Sequence, residues 1–412
     1  MNTIVSRLRA ATALCLAQCA LCIPASAAWT YNASAKTLTE SVTEGTAWVL
    51  NLTVSGNEAT VKSVKTVGTT NYLDLASAAE SDSPPIVALA DSAFNAKTTL
   101  ISITLPDTLR SIGQYAFYKC TALTNVTPFL PASVTSIGIR AFYNTGIKTP
   151  LVLSNPSLTS LPGSGEGVFA ASKIPSADLS RSGITSIGKA AFYRCAQLGS
   201  VSFPNTLQSI GEYAFFECTS LTNVAPFLPA SVSYLGPRAF TSSPIKTPLV
   251  LANRRLTSIP GSGYGVFQNT QIPSADLSRS GLTSIGETSF YATTLTNVVL
   301  PRTLASVGKN AFNKTSGLKN VEFRGSYPTF GSSAFGSSMT LPARVTFPLG
   351  DATWESLALA KLWAGATDAQ RNAYLAAGFP AGRKPIGYRD IGGATKWLVP
   401  VNYVVGTQVI MY

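Results

Sequence analysis

The sequence predicts a β-rich solenoid of about eleven stacked units, made of short strands and turns, with an N-terminal β cap and a C-terminal helical and β cap. Two observations carry this. Phenylalanine recurs at Phe94, Phe117, Phe142, Phe169, Phe192, Phe215, Phe240, Phe267, Phe290, Phe312 and Phe335, with successive spacings of 23, 25, 27, 23, 23, 25, 27, 23, 22 and 23 residues. A fixed set of apolar offsets travels with each ring, as in Leu100, Ile103, Leu105, Leu109, Ile112 and Phe117, followed by Leu123 and Val126. Self-similarity at such a period marks units that cannot bury their apolar edge alone and must stack.

The elements follow in chain order. Residues 1–27 read as an export signal, with Arg7 and Arg9, an apolar stretch from Ala10 to Ile23 and a small-residue exit at Ala25-Ser26-Ala27. Cleavage is expected after Ala27. Gln18 and Pro24 interrupt the stretch, which falls short of the roughly 20 apolar residues of a spanning helix. No later segment does better, so the mature chain is expected to have no transmembrane helix and to be secreted or held at the cell surface. Gln18 and Leu21 precede Cys19 and Cys22, where a lipoprotein signal needs a small residue. Residues 28–85 alternate as strands do, for example Ala47-Trp48-Val49-Leu50-Asn51-Leu52-Thr53-Val54, and are expected to cover the apolar face of the first repeat.

Within the repeats, Leu100-Ile101-Ser102-Ile103-Thr104-Leu105 suits a short strand closed by Pro106, and a second extended run ends at Ile112-Gly113. The glycine after that apolar residue recurs at Gly138, Gly188, Gly211, Gly236, Gly286 and Gly308, which predicts a bend with positive φ. The alanine common before the phenylalanine predicts close approach of neighbouring rungs. Shifting the chain by 98 residues aligns Pro128–Val134 with Pro226–Val232 and the run IPSADLSRSG at 174–183 with an identical run at 272–281. A four-unit block has been duplicated. In the second copy Pro156-Ser157 becomes Arg254-Arg255 and Glu166 becomes Tyr264.

The run Leu-x-x-Val-x-x-Pro-x-x-Leu-x-x-Ile-Gly-x-x-Ala-Phe-x-x-Cys-x-x-Leu, from Leu198 to Leu221, resembles the BspA-type leucine-rich repeat family. The resemblance extends over about residues 86–347. It implies a curved leucine-rich-repeat solenoid with a stacked strand ladder, of the kind found on secreted or surface-attached proteins that adhere to host or matrix components. The 27-residue units depart from it with inserts at Pro162-Gly163-Ser164-Gly165 and Pro260-Gly261-Ser262-Gly263, and most units replace the cysteine.

Residues 348–386 read as a helical cap. Asp351 can N-cap a helix through Trp363, and Thr367-Asp368-Ala369-Gln370 is a capping box for a second helix ending at Gly378 before Pro380. Residues 387–412 read as a small β module of unassigned role.

Composition narrows the chemistry. The 412 residues contain no histidine, which removes Ser-His-Asp and Cys-His arrangements and His-containing zinc sites. Carboxylate pairs alone can hydrolyse glycosides, but the acids sit at non-equivalent offsets and select no pair. No enzyme activity, cofactor or metal is expected. Of the six cysteines, Cys120, Cys195 and Cys218 follow the signal, each three residues after its phenylalanine. Cys195 and Cys218 lie on adjacent rungs, within bonding reach at a spacing of about 4.8 Å; buried thiols filling space are the expected state. Asp178-Leu179-Ser180-Arg181-Ser182-Gly183 and its copy at 276–281 read as local side-chain turns.

The formal charge is +12, and residues 28–235 hold 12 basic against 12 acidic residues while 236–412 hold 17 against 7. That imbalance suits an anionic partner or simple solubility, with no dense run of the kind a specific nucleic-acid reader carries. The expected function is non-catalytic binding or adhesion, by a monomer, to a protein or anionic glycan surface; the alternative is an envelope or surface scaffold without a soluble ligand. Candidate ligand-surface residues are the rings after each phenylalanine, Tyr118, Tyr143, Tyr193, Phe216 and Tyr291, and the basic residues Arg238, Lys246, Arg254, Arg255 and Arg279.

Overall fold

A computed structural model describes residues 28–335 apart from positions 43 and 81, together with the strands Arg344–Pro348, Ile386–Arg389 and Thr395–Val401. The expected export signal and the helices expected between 351 and 378 lie outside the described residues.

The described residues begin as an antiparallel meander: β1 (Trp29–Asn32), β2 (Thr37–Glu40), β3 (Val49–Ser55) and β4 (Glu58–Thr66). Alternation along β3 sends Leu50 and Leu52 inward beside the buried Trp48. β4 then pairs in parallel with Ile86–Leu89. The meander thus occupies the edge that the first rung would otherwise expose to other chains.

From there two columns of parallel strands run the length of the stack. The first comprises Tyr72–Asp74, Ser102–Thr104 and Asn125–Thr127, then Leu151–Val152, Ser176–Asp178, Ser200–Ser202 and Asn223–Ala225, then Leu249–Val250, Ser274–Asp276, Asn297–Leu300 and Asn320–Phe323. The second passes through Ser111–Ile112, Ser136–Ile137, Ser160–Leu161, Ser186–Ile187, Ser209–Ile210 and onward to Thr329–Phe330. Both columns are interrupted at the same two places, the second before Ser160 and Ser258 and the first before Leu151 and Leu249, where a local cause is present. Pro150 and Pro248 precede those strands and have no N–H to donate. Threonine hydroxyls bridge the gap: Thr149 donates to the Thr124 carbonyl at 3.3 Å, and Thr247 accepts from the Val224 N–H at 3.1 Å.

The phenylalanines form a third column. From Phe94 to Phe335 each ring stacks on the next, with centroids 5.1–5.8 Å apart and planes within 25°. The rings from Phe94 to Phe312 are fully buried. Their backbone is tied across rungs as well: the Phe192 N–H donates to Ala214 O at 2.8 Å and the Phe215 N–H to Ala239 O at 2.7 Å. One contiguous apolar core runs from Trp29 to Ala334.

The repeating glycine has a different cause from the one expected. Gly138, Gly188, Gly211, Gly236, Gly286 and Gly308 are not among the positive-φ glycines, which among the described residues are Gly45, Gly56, Gly165 and Gly263. Each of the six instead abuts the backbone of the preceding rung; a Cβ on Gly138 would lie 2.2 Å from the Gln114 nitrogen. The left-handed residues fall two and six positions later and carry side chains, as at Tyr115 and Lys119, or Tyr213 and Glu217.

Candidate functional site

The turn from the first column to the second forms one corner of every rung. In the rung that begins with Leu249, buried Leu251 and Leu256 anchor the two ends of this turn. Between them Asn253 is fully buried, and its side-chain amide donates to the carbonyls of Pro229 and Val232 on the preceding rung. Its backbone carbonyl accepts from the N–H groups of Leu256 and of Gly281 on the next rung. A residue pinned on three sides leaves its neighbours only solvent, and Arg254 and Arg255 are exposed. Asn155 makes the same bonds to Pro131 and Val134 in the first copy, where Pro156 and Ser157 take the outward places. Beside the arginines lies an open depression of about 330 Å³ lined by Gln208, Ala230, Ser231, Ala252, Arg254 and Arg255.

Strand register extends this corner. Val250 pairs with Asp276 and Asp276 with Val299; Arg279 and Arg302 stand three residues after their paired positions and Arg254 four after its own, so the three follow the same strand on three successive rungs. Arg279 and Arg302 are also exposed. Among the described residues the ion pairs are Arg110–Glu58, Arg140–Glu166, Lys189–Glu212, Arg194–Glu217 and Arg324–Glu322. None uses Arg254, Arg255, Arg279 or Arg302.

Arg254, Arg255 and Arg279 lie at the same corner on adjacent rungs, and the other two basic candidates lie elsewhere. Arg238 sits in the phenylalanine turn, its guanidinium 5.1 Å from the Tyr213 ring centre and 4.5 Å from that of Tyr264, and it donates to the Tyr213 hydroxyl. The equivalent Arg140 of the first copy faces Glu166 at 3.1 Å. The exchange of Glu166 for Tyr264 thus replaces an ion pair by a cation–π contact. Lys246 is exposed near the start of the broken first column.

The five aromatic candidates are half-buried and form two pairs and a single ring. Tyr118 stacks on Tyr143 at 5.0 Å and Tyr193 on Phe216 at 5.4 Å. Ala170 separates the pairs, and Thr241 and Gln268 occupy the two positions before Tyr291. Cations cover ring faces: Lys119 over Tyr118 at 5.2 Å, Arg194 over Tyr193 at 5.0 Å and Lys314 over Tyr291 at 5.4 Å. Burial, with Glu166 nearby, pushes the Tyr143 hydroxyl above its ordinary pKa. The Asp178 turn is a local one: the Ser180 N–H donates to its carboxylate at 3.0 Å, and hydrogen bonding from Ser180 holds that carboxyl below its usual range.

The cysteine position has a hydrogen-bonding role. Cys120, Cys195 and Cys218 are free and buried, and their Sγ atoms donate at 3.0 Å to the carbonyls of Phe94, Phe169 and Phe192. Other rungs meet the same need with hydroxyls, as where Thr145 donates to Phe142 O at 3.1 Å and Ser243 to Phe215 O at 2.6 Å. A buried carbonyl requires a partner, and Cys, Ser and Thr are the small side chains that supply one. Burial pushes the Cys120 and Cys195 thiols up to about 12. The expected outcome is that native protein at pH 8 does not react with a thiol reagent, because the thiolate is the nucleophile. All three thiols should react after denaturation, and intact mass should be unchanged by reductant. Rapid labelling of the folded protein would contradict this assignment.

Among the described residues no cluster of three His, Cys, Asp or Glu side chains could hold a metal ion, and no helix is long and apolar enough to cross a membrane.

Comparison with known proteins places these features. The BspA type leucine-rich repeat region matches in six copies, over residues 87–182, 163–261 and 227–342, more than half of the chain. No curated protein sequence matches. Among solved structures, a leucine-rich repeat protein of T. pallidum is 25% identical, covering 47% of this chain and 86% of its own, with a TM-score of 0.40. One from Bacteroides ovatus is 21% identical, covering 75% and 94%, with a TM-score of 0.41. The pneumococcal vaccine antigen PcpA is 13% identical, covering 81% and 97%, with a TM-score of 0.28. With its repeats matched over that length, this chain belongs to the BspA-type leucine-rich repeat family.

Proposed function

We propose that the chain is an exported, non-catalytic binding module that presents the outer surface of its solenoid to a protein or glycan partner at or beyond the cell surface. The observation that carries this reading is the contrast between the two copies of the duplicated block. Inward positions are kept, as in Leu151, Leu153, Leu158 and Leu161 against Leu249, Leu251, Leu256 and Ile259, all buried. Outward positions at the same turn change from Pro156 and Ser157 to Arg254 and Arg255. Packing constrains the first set in any stacked fold. Only an interaction outside the molecule gives the second set a role beyond solubility. The signal-like residues 1–27 support export.

Binding should be measured on panels of immobilised extracellular proteins and glycans, alongside fractionation of the producing cells. Saturable retention of the protein by at least one class, with the chain outside the cytoplasm, is the expected result. A chain that stays cytoplasmic, or that binds nothing on either panel, would count against the reading.

A further inference from the structure

We propose that Arg254, Arg255, Arg279 and Arg302 form a binding ridge for a linear sulfated or carboxylated polysaccharide laid along the axis of the stack. The proposal rests on the binding-module reading and names its ligand class.

Three features select this ligand. The first is geometry: the ridge occupies three successive rungs whose phenylalanine rings are 5.2 and 5.1 Å apart. One hexose in an extended chain advances the polymer by a similar length, on the order of a strand spacing, so successive sugars can meet successive rungs. The backbones beneath are closely packed: a Cβ on Gly281 would lie 2.0 Å from the Arg254 carbonyl.

The second is charge. No ion pair among the described residues neutralises these four guanidiniums. Of the acids at the neighbouring strand positions, Glu322 pairs with Arg324 at 2.8 Å, and Asp276 is tied to its own turn by the Ser278 N–H at 2.9 Å. Guanidinium forks match sulfate and carboxylate oxygens in pairs.

The third is what surrounds the charge. The depression beside Arg254 and Arg255 is lined also by Gln208, Ala230, Ser231 and Ala252, a mixed floor in which Gln208 and Ser231 can bond sugar hydroxyls. It offers neither the interleaved rings on which single-stranded bases stack nor the apolar face that an interfacial membrane contact buries.

The first copy supplies the control. At the equivalent positions it carries Pro156, Ser157, Arg181 and Asn205, one guanidinium in place of four.

Heparin oligosaccharides of increasing length, titrated calorimetrically into the purified protein at fixed ionic strength, provide the test. R254A/R255A should weaken binding by roughly tenfold and R279A and R302A by about threefold each, while R181A changes it less than about twofold. Affinity should rise from disaccharide to tetrasaccharide, and neutral dextran should not bind. Because all these side chains are exposed, melting temperatures should match the parent. The proposal is overturned if the quadruple alanine variant binds like the parent or if R181A loses as much as R254A/R255A. Tighter binding of a single-stranded oligonucleotide or of anionic vesicles at the same ionic strength would also overturn it. Retention on the wider panel without any heparin binding would remove the ridge and leave the binding-module reading standing.

Discussion

Replacing Phe215 with alanine should destabilise the protein by about 3–5 kcal/mol, the range for emptying a fully buried aromatic site. The ring lies between Phe192 and Phe240, with centroids 5.2 and 5.3 Å away, and Phe203 meets its edge at 5.7 Å. Removal forfeits both stacked contacts, each worth about 0.5–1.5 kcal/mol beyond area burial. It also leaves a void that neighbours cannot easily fill. The Phe192 N–H is held by Ala214 O and the Phe215 N–H by Ala239 O, so the backbones on either side are fixed at rung spacing. Phe335, half-buried at the end of the described stack with Phe312 on one face, should cost about half as much or less when truncated. Equilibrium urea unfolding monitored by circular dichroism separates two outcomes. A lower midpoint at unchanged slope means the solenoid still unfolds as one unit; a lower slope means the vacancy has split it into two. A loss below about 1 kcal/mol for Phe215→Ala would show that the column is not the main support of the fold.

The column was legible because its spacing is a property of the chain alone. Inward residues must repeat at the period of the rung, and no tertiary knowledge is needed to count them. Reasons were harder to read than positions. The recurrence of Gly188 and Gly211 is plain in the sequence, yet its cause is the backbone of the rung beneath, which no local pattern encodes. The left-handed conformation falls on Tyr213 and Glu217, residues that carry no propensity signal for it. Arg254, Arg255 and Arg279 could be found by comparing the copies at the fixed offset of 98. Arg302 could not. The spacing drops to 22 between Phe290 and Phe312, which moves Arg302 out of line with Asn205 at that offset, although each stands ten residues before its phenylalanine and strand register agrees through Ser202 and Val299. Charge and chain proximity put Arg238 with the others, whereas the fold sends it to a different turn.

Gly236→Ala should be among the most damaging single-methyl additions, costing about 3–5 kcal/mol when overpacking and lost ladder bonds are combined. A Cβ there would stand 2.2 Å from the Glu212 nitrogen, 2.4 Å from the Gly211 carbonyl carbon and 2.6 Å from the Glu212 Cα. All three are main-chain atoms, so no rotamer change relieves the contact. The two rungs must instead move apart, and that motion opposes the bond from the Gly236 N–H to Ile210 O at 2.7 Å. It also opposes the neighbouring stack of Phe215 on Phe240, whose planes lie within 3°. Gly199 is the matched control. It too lacks positive φ, but the nearest atom to its hypothetical Cβ is Pro175 O at 3.6 Å, an ordinary contact. There alanine should be neutral or mildly stabilising, by up to about 1 kcal/mol, because it restricts the unfolded chain more than glycine does. The difference between the two variants in urea midpoint therefore isolates rung approach from backbone entropy. Equal stability of Gly236→Ala and Gly199→Ala would mean that rungs can separate without cost, and the close-contact account of the glycine column would have to be abandoned.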